Sequence, residues 1–183
     1  MSRQPTLAFD LDDTIVDHMP HRRMLAERFG LAHLSDAALY RLHEERVSSD
    51  TLRAFKRALY GRLSRHAPPF PHAVAALREI TVRTPAVIIS RRVHEAAHAR
   101  AWIRRHLPFF PLDRVHFTCR DEEKSAVARV LGVGVFVDDS PEVLLHLPSD
   151  IRRILFDRFS LHQNGEWERT ASWHELLDAL QQR

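Results

Sequence analysis

Four carboxylates, one lysine and one serine in this chain are spaced for chemistry at phosphorus. Asp10 and Asp12 follow a short apolar run, Ser90 follows another, Asp138 and Asp139 follow a third, and Lys124 sits at the start of a segment with helical spacing. Hydrolysis of a phosphate ester needs each of these types. A carboxylate can attack phosphorus and divide one hard displacement into two easier ones. A second carboxyl group can protonate the leaving alkoxide and later accept a proton from the attacking water. Nucleophile and phosphate are both anionic, so hard oxygen ligands around Mg²⁺, a lysine and a hydroxyl donor are needed to neutralise and position the group. Of the 27 basic residues only Lys56 and Lys124 are lysines, so a lysine at this place stands out against a background of arginine.

Taken singly, each residue has an ordinary explanation. Asp10 and Asp12 are candidate loop or helix-capping carboxylates, Ser90 a helix N-cap, Lys124 a solvated helix residue, and Asp138-Asp139 the end of a strand before a Ser140-Pro141 helix start. Their order argues for a shared site, because in open parallel sheets ligands bind outside the carboxyl ends of the strands.

The elements that must position them are legible in outline. Thr6-Leu7-Ala8-Phe9 reads as a buried strand emptying into an acidic loop. From about 20 to 65 the spacing becomes helical: Met24, Leu25 and Phe29 mark one helix, Leu39, Leu42 and Val47 a second after Ser35-Asp36, and Leu52, Phe55, Leu59 and Leu63 a third. Pro68-Pro69-Phe70-Pro71 then interrupts the chain. Beyond it, strands expected at 86–89, 115–117, 133–137 and 151–156 alternate with helices at 72–80, 93–106, 122–131 and after Ser140-Pro141. Such alternation predicts a three-layer α/β domain, a parallel sheet with helices on both faces. Asn164-Gly165 is a hairpin-type turn signal, and Ser172-Trp173-His174-Glu175 a capping box for a last helix. The expected division is a core of 1–14 and 76–183 with a helical cap inserted at 15–75.

Phe9-Asp10-Leu11-Asp12-Asp13-Thr14, Ile88-Ile89-Ser90, Lys124 and Val135-Phe136-Val137-Asp138-Asp139 resemble the four ordered motifs of the haloacid dehalogenase superfamily. The resemblance implies a Rossmann-like core and a Mg²⁺-dependent phosphomonoesterase working through an aspartyl-phosphate. Asp10 would be nucleophile and metal ligand; Asp12 the acid/base, lending its backbone carbonyl to the metal. Ser90 and Lys124 would bind the phosphoryl group, with Thr14 and Arg91 beside them as further substrate contacts. Asp138 and Asp139 would complete the metal site. Within the superfamily, Val115-His116-Phe117-Thr118, Val137-Asp138-Asp139-Ser140-Pro141-Glu142, Ile154-Leu155-Phe156-Asp157-Arg158, Trp167 and Ser172-Trp173 are similar to the cytosolic 5'-nucleotidases that prefer deoxyribonucleotides, whose substrates are nucleoside monophosphates. Asp13 departs from the glycine common at that position. Phosphatases acting on 3'-phosphates of nucleic acid ends look similar at the fourth motif, and a non-catalytic phosphate- or nucleic-acid-binding protein could use the same fold. A base-sized pocket between cap and core would favour the nucleotidase; a long basic groove would favour nucleic acid ends.

His94-Glu95-Ala96-Ala97-His98 fits the helical zinc signature H-E-x-x-H. A catalytic zinc also needs a third ligand and an open position, and with 13 histidines chance matches come easily. The expected sheet-facing residues there are Val93, Ala97 and Ala101. Trp102, Trp167, Trp173 and Phe109-Phe110 read as packing residues, and His18 and Met19 as pocket candidates because they open the insertion near the rim.

Composition sets the remaining bounds. With 183 residues, 44% hydrophobic, one substantial core can form. No run approaches the apolar length of a membrane span, and no apolar signal region opens the sequence. Cys119 is the only cysteine, which rules out an intramolecular disulfide and fits a reducing compartment. The expectation is a cytoplasmic protein. The net charge of +3 is uneven: residues 15–110 hold 17 Arg/Lys against 8 Asp/Glu. A basic middle can steer nucleotides or nucleic acid, although charged helices are most often solvated faces.

Overall fold

A computed structural model describes residues 5–43, 46–92, 94–162, 165 and 167–181. Six strands form one sheet: β1 (Thr6–Phe9), β2 (Ala86–Ser90), β3 (Val115–Phe117), β4 (Val133–Asp138), β5 (Arg152–Phe156) and β6 (Glu168–Thr170). Every neighbouring pair is parallel, in the order β3-β2-β1-β4-β5-β6. The first strand therefore lies at the centre, and the chain winds outward from it in both directions. This is the switch point at which open α/β sheets bind ligands.

The two-residue period of a strand sorts side chains between the faces. Phe9, Ile88, Val137, Ile154 and Phe156 point to one side, where they meet α4 (Ala73–Arg83), α5 (Ala96–His106) and α8 (Trp173–Gln181). Ala8, Val87, Ile89, Phe136 and Leu155 point to the other, under α6 (Asp121–Val130) and α7 (Pro141–His146). Burying both faces explains the near-continuous apolar character of the central strands.

The inserted segment folds on its own apolar cluster. Three helices, α1 (Met19–Arg28), α2 (Asp36–Tyr40) and α3 (Ser49–Tyr60), enclose Met19, Leu25, Leu39, Leu52, Phe55 and Leu59, and a 3₁₀ turn follows at Arg62–His66. Ser35 and Ser48 cap α2 and α3 through their side chains, as the polar residues ahead of each apolar stripe predict. Two linkers join cap to core side by side: Asp17 N–H donates to the Pro68 carbonyl at 2.8 Å and Phe70 N–H to the Ile15 carbonyl at 2.9 Å.

The structure departs from the expectations in four places. Helix α4 starts at Ala73, and its Ala73, Ala76, Leu77 and Ile80 join the core, so this stretch packs with the sheet rather than the cap. The buried face of α5 is Ala99, Trp102 and Ile103, while Ala97 is exposed: the helix begins only at Ala96, and its bulkiest side chain sets the rotation. Val93 lies outside the described residues. Strand β6 was not anticipated, because Glu-Arg-Thr carries no apolar alternation; it runs parallel to β5, so the link between them is a crossover and not a hairpin. Asn164 of that turn signal is also outside the described residues. The capping box is present: Ser172 Oγ accepts from Glu175 N–H at 3.2 Å, and Glu175 accepts from Ala171 N–H at 2.8 Å.

Both fully buried tryptophans carry their indole N–H to a carbonyl, Trp102 to Ala67 at 2.7 Å and Trp173 to Thr14 at 2.8 Å, which fits the packing role. Trp167 and Phe109 are partly buried against the two core clusters, and Phe110 is buried.

Candidate active site

Asp10 leaves the sheet immediately after β1, its N–H still paired with the Val137 carbonyl at 2.9 Å. Asp138 ends β4 beside it. Between the two carboxylates lies the ammonium of Lys124, reaching in from the first turn of α6, 2.6 Å from Asp10 Oδ1 and 2.8 Å from Asp138 Oδ2. All three side chains are buried. The other oxygen of Asp138 accepts from Ser140 N–H at 2.9 Å. Ser90, at the end of β2, places its hydroxyl 3.4 Å from Asp12 Oδ2.

These groups line a cavity of about 340 Å³ that includes Asp10, Asp12, Ser90, Lys124, Asp138 and Asp139, at the small end of the range for ligand pockets. The residues singled out in the sequence thus converge, with three exceptions, Thr14, His18 and Met19. Thr14 is fully buried and does not line the cavity; its carbonyl accepts from Trp173 and its hydroxyl has no partner among the described residues. Met19 is sealed in the cap cluster. Arg91 stands at the mouth, exposed, with Nη1 2.5 Å from Asp121.

Arg92, Arg22 and Tyr40 escaped the sequence reading, while His18 and Asp13, which it named, take roles it did not foresee. Arg92, buried, donates to Asp12 Oδ1 at 2.9 Å, to Ser64 Oγ at 2.7 Å, and to the Tyr60 carbonyl. His18 is wholly buried with Nε2 2.6 Å from the same oxygen of Asp12, so it stands behind the acid and does not line the cavity. Asp13 adopts a left-handed backbone conformation, φ 60°, and pairs with buried Arg22. Tyr40 at the end of α2 donates to Asp139 Oδ2 at 2.7 Å. Polar residues inside the cap's apolar stripes were the available signal, but nothing in the sequence tells which of several arginines turns inward.

The electrostatics divide the carboxylates into two groups. Burial opposes ionisation of Asp12, but the Arg92 guanidinium and His18 outweigh it and hold the acid at about 2. Asp10 goes the other way: burial pushes it up to about 7, against the pull of Lys124, with the charges of Asp138 and Asp12 adding to the rise. Burial also raises Asp138, and it raises Asp139 well above the usual range with help from Asp138 and Asp10. Burial disfavours the Lys124 charge, yet Asp10 and Asp138 hold the ammonium above its ordinary value. Buried Asp10 and Asp138 therefore share one ammonium with the partly buried Asp139 beside them, a surplus of negative charge that a hard divalent cation would relieve. Oxygen-only donors suit such a cation and argue against zinc.

The zinc signature does not assemble. His94 precedes α5 and Glu95 occupies its N-cap position, so the two histidines do not share a helical face. Among the described residues no three His, Cys, Asp or Glu side chains gather as a ready metal cage. A cation at the acidic site would accordingly draw on backbone carbonyl or water oxygens beside the carboxylates.

The sheet order, the cap inserted after the first strand and the Asp-Lys-Asp cluster at the switch point define a hydrolase of the haloacid dehalogenase class. Solved structures agree on the fold. The chain superposes on the putative HAD-hydrolase YfnB from Bacillus subtilis, described as bound to magnesium, with TM-score 0.66 and 16% identity over 98% of this chain and 99% of that one. It also matches the haloacid dehalogenase-like protein SP0104 from Streptococcus pneumoniae, with TM-score 0.64 and 13% identity over 98% and 100%, and a subfamily IA hydrolase from Geobacter sulfurreducens, with TM-score 0.60 and 16% identity over 98% and 99%. A sequence comparison with curated proteins finds no significant match. The family model for the 5' nucleotidase, deoxy (pyrimidine), cytosolic type C protein matches residues 4–182, and the chain belongs to this family. It is a phosphatase of the 5'-nucleotidase type.

Proposed function

We propose that the protein is a Mg²⁺-dependent phosphomonoesterase acting on nucleoside monophosphates in the cytoplasm, through an aspartyl-phosphate on Asp10. The observation that carries this reading is the contact of Lys124 with both Asp10 and Asp138 at the carboxyl edge of the sheet. The cation would be held by Asp10, Asp138 or Asp139, and the backbone carbonyl of Asp12. When bound, Mg²⁺ would offset the repulsion between carboxylate and phosphate and polarise the phosphoryl oxygens.

The chain's own groups supply the rest. Lys124 and the Ser90 hydroxyl are placed to hold the phosphoryl oxygens. An Asp10 carboxylate oxygen forms a bond to phosphorus while the bond to the leaving oxygen breaks; Asp12, held as a carboxylate, first takes the proton of a monoanionic phosphate ester and passes it to that leaving oxygen. Water then attacks the phosphoenzyme, and Asp12, again a carboxylate, takes the proton. Arg92, which cannot give up a proton, fixes the Asp12 carboxylate in place together with the Nε2 contact of His18.

A second cavity of about 230 Å³ lies between the cap and α7, with Phe55, Tyr40 and Tyr60 in its wall; it shares Asp13, Tyr60 and Asp139 with the first. A space of that size beside the phosphate site supports a nucleoside as the leaving group. The test is phosphate release from a panel of ribo- and deoxyribonucleoside monophosphates, sugar phosphates and an aryl phosphate, with and without Mg²⁺. Mg²⁺-dependent turnover that prefers nucleotides and disappears in Asp10→Asn is expected. Undiminished turnover in that variant would overturn the mechanism, and preference for a sugar phosphate would overturn the substrate class.

A further inference from the structure

We infer that the outer face of the cap and the adjoining end of α5 bind a single-stranded nucleic acid, at a surface separate from the catalytic cavity. A trough of about 400 Å³ runs between α1 and α3, rimmed by Arg28, Arg57 and Arg62 and floored by Leu25, Ala58 and Leu63. The basic surface continues from Arg62 along the 3₁₀ turn to Arg65 and His66. His66 Nδ1 lies 3.4 Å from Arg105 Nη1 on α5, and Arg104 is next to it. Six arginines, at positions 28, 57, 62, 65, 104 and 105, are thus exposed along one continuous belt from cap to core.

The belt concentrates unpaired charge: exposed Arg78, Arg114 and Arg129 also lack a carboxylate partner among the described residues, but each stands on a different element. Elsewhere on the surface Arg23, Arg53, Arg83, Arg91, Arg120, Arg152 and Arg158 each have a carboxylate partner. Among the described residues none of the six belt arginines has one. Their positive charge is uncompensated, and it is carried entirely by guanidinium, whose planar fork matches phosphate oxygens. Arg28, Arg57, Arg104 and Arg105 also lie in the last turns of their helices, where the dipole favours cations, but that explains neither Arg62 nor the gathering of all six on one face.

The apolar floor selects among polyanions. Proteins hold single strands in positively charged grooves that track the backbone while the bases stack on aromatic rings, with cation–π contributions from arginine; here the arginines would serve both backbone and bases over a recessed aliphatic floor. In a duplex the bases are already stacked and have no use for a recessed floor. An anionic membrane would call for apolar side chains that stand out, yet Leu25 is buried and Leu63 only partly exposed, leaving Met24 as the one large apolar residue at the rim with substantial exposure, 47%.

The experiment is fluorescence anisotropy of the full chain with a labelled single-stranded oligonucleotide across salt concentrations, with a duplex and phosphatidylserine vesicles as parallel arms. Contacts to about six phosphates give a slope of about −4 in log K against log salt, and affinity falls on the order of a hundredfold between 50 and 200 mM. Arg57→Gln with Arg62→Gln should flatten that slope by about 1.4 while leaving the melting temperature unchanged. Arg129→Gln, on α6 across the sheet, should leave binding unchanged. Absence of oligonucleotide binding at low salt, an equal effect of Arg129→Gln, or tighter binding to the duplex or the vesicles would each overturn the assignment. None of these readouts depends on phosphatase activity, so they stand apart from the catalytic proposal.

Discussion

Tyr40, at the end of a cap helix, donates a 2.7 Å hydrogen bond to Asp139 of the core. Among the described residues it is the one hydrogen bond that this partly buried carboxylate receives, and it ties the cap to the acidic cluster. Tyr40→Phe keeps the ring and removes the donor, at a cost of about 1 kcal/mol. The metal-free variant should melt several degrees below wild type. Mg²⁺ should narrow the gap, because a cation at the cluster takes over part of the charge. Thermal melting with and without Mg²⁺ checks both; identical curves for the two proteins would show that the bond contributes nothing to cap attachment.

Among the described residues Lys124 is the sole cation between Asp10 and Asp138. Lys124→Met removes it and leaves buried carboxylates facing each other, which should cost about 3–5 kcal/mol and abolish turnover. Asp10→Asn should abolish turnover with little loss of fold, because Lys124 keeps Asp138 as a partner. Denaturant unfolding and phosphate release, measured on both variants, separate the two effects: a folded but inactive Asp10→Asn beside a destabilised Lys124→Met is the expected pair.

The raised pKa values of the cluster make the metal-free protein sensitive to pH in a defined direction. Burial lifts Asp10 from its ordinary 3.8 to about 7, and Asp138 and Asp139 are lifted too. Between those values the folded state holds more protons than the unfolded state, so stability falls as pH rises. The contribution from Asp10 is complete below about 4 and lost as pH passes about 7. Asp12, held at about 2, acts oppositely: its contribution is present above about 4 and lost as pH falls through 2. Mg²⁺ should restore stability above pH 7, and its binding near neutral pH should release protons. Calorimetric titration in buffers of different ionisation enthalpy reads that release; a binding heat that does not vary with buffer would count against carboxylate deprotonation on binding.

The sequence made the core and the ordered site legible because both rest on strong local signals. Apolar runs of strand length ended in Asp10, Ser90 and Asp138, and a parallel sheet brings strand ends together by construction. The edge strand β6 was hidden because it pairs through its backbone and a bidentate Arg152–Glu168 contact at 2.8 and 2.6 Å, leaving no apolar pattern. The residues around the acids were hidden for a different reason. Ile89-Ser90-Arg91-Arg92 offers two adjacent arginines; Arg92 turns in to Asp12 and Arg91 out to Asp121, a choice set by the cap, whose Tyr60 and Ser64 complete the inner arginine's hydrogen bonds. Contacts between an insertion and its host are not encoded at any fixed spacing. Thr14 lies off the cavity for a similar reason: Trp173, far along the chain, draws its carbonyl into the core.

Asp13 offers the sharpest test of how this chain accommodates its departure from the glycine common in related first motifs. Its φ of 60° lies where a side chain costs about 1–2 kcal/mol, a cost that aspartate bears better than most residues. Its carboxylate pairs with buried Arg22, whose guanidinium also lies 5.5 Å from the centre of the Tyr40 ring. Asp13→Gly should relieve the backbone yet strand Arg22 without its partner, a penalty of about 3–5 kcal/mol, so the variant should be less stable than wild type. Arg22→Met alone leaves Asp13 buried and unpaired and should also destabilise. The combination removes both charges and the strain and should recover most of the loss, giving a coupling well outside the range of independent sites. Denaturant unfolding of the four proteins measures it; simple additivity would mean that the pair does not hold the left-handed turn.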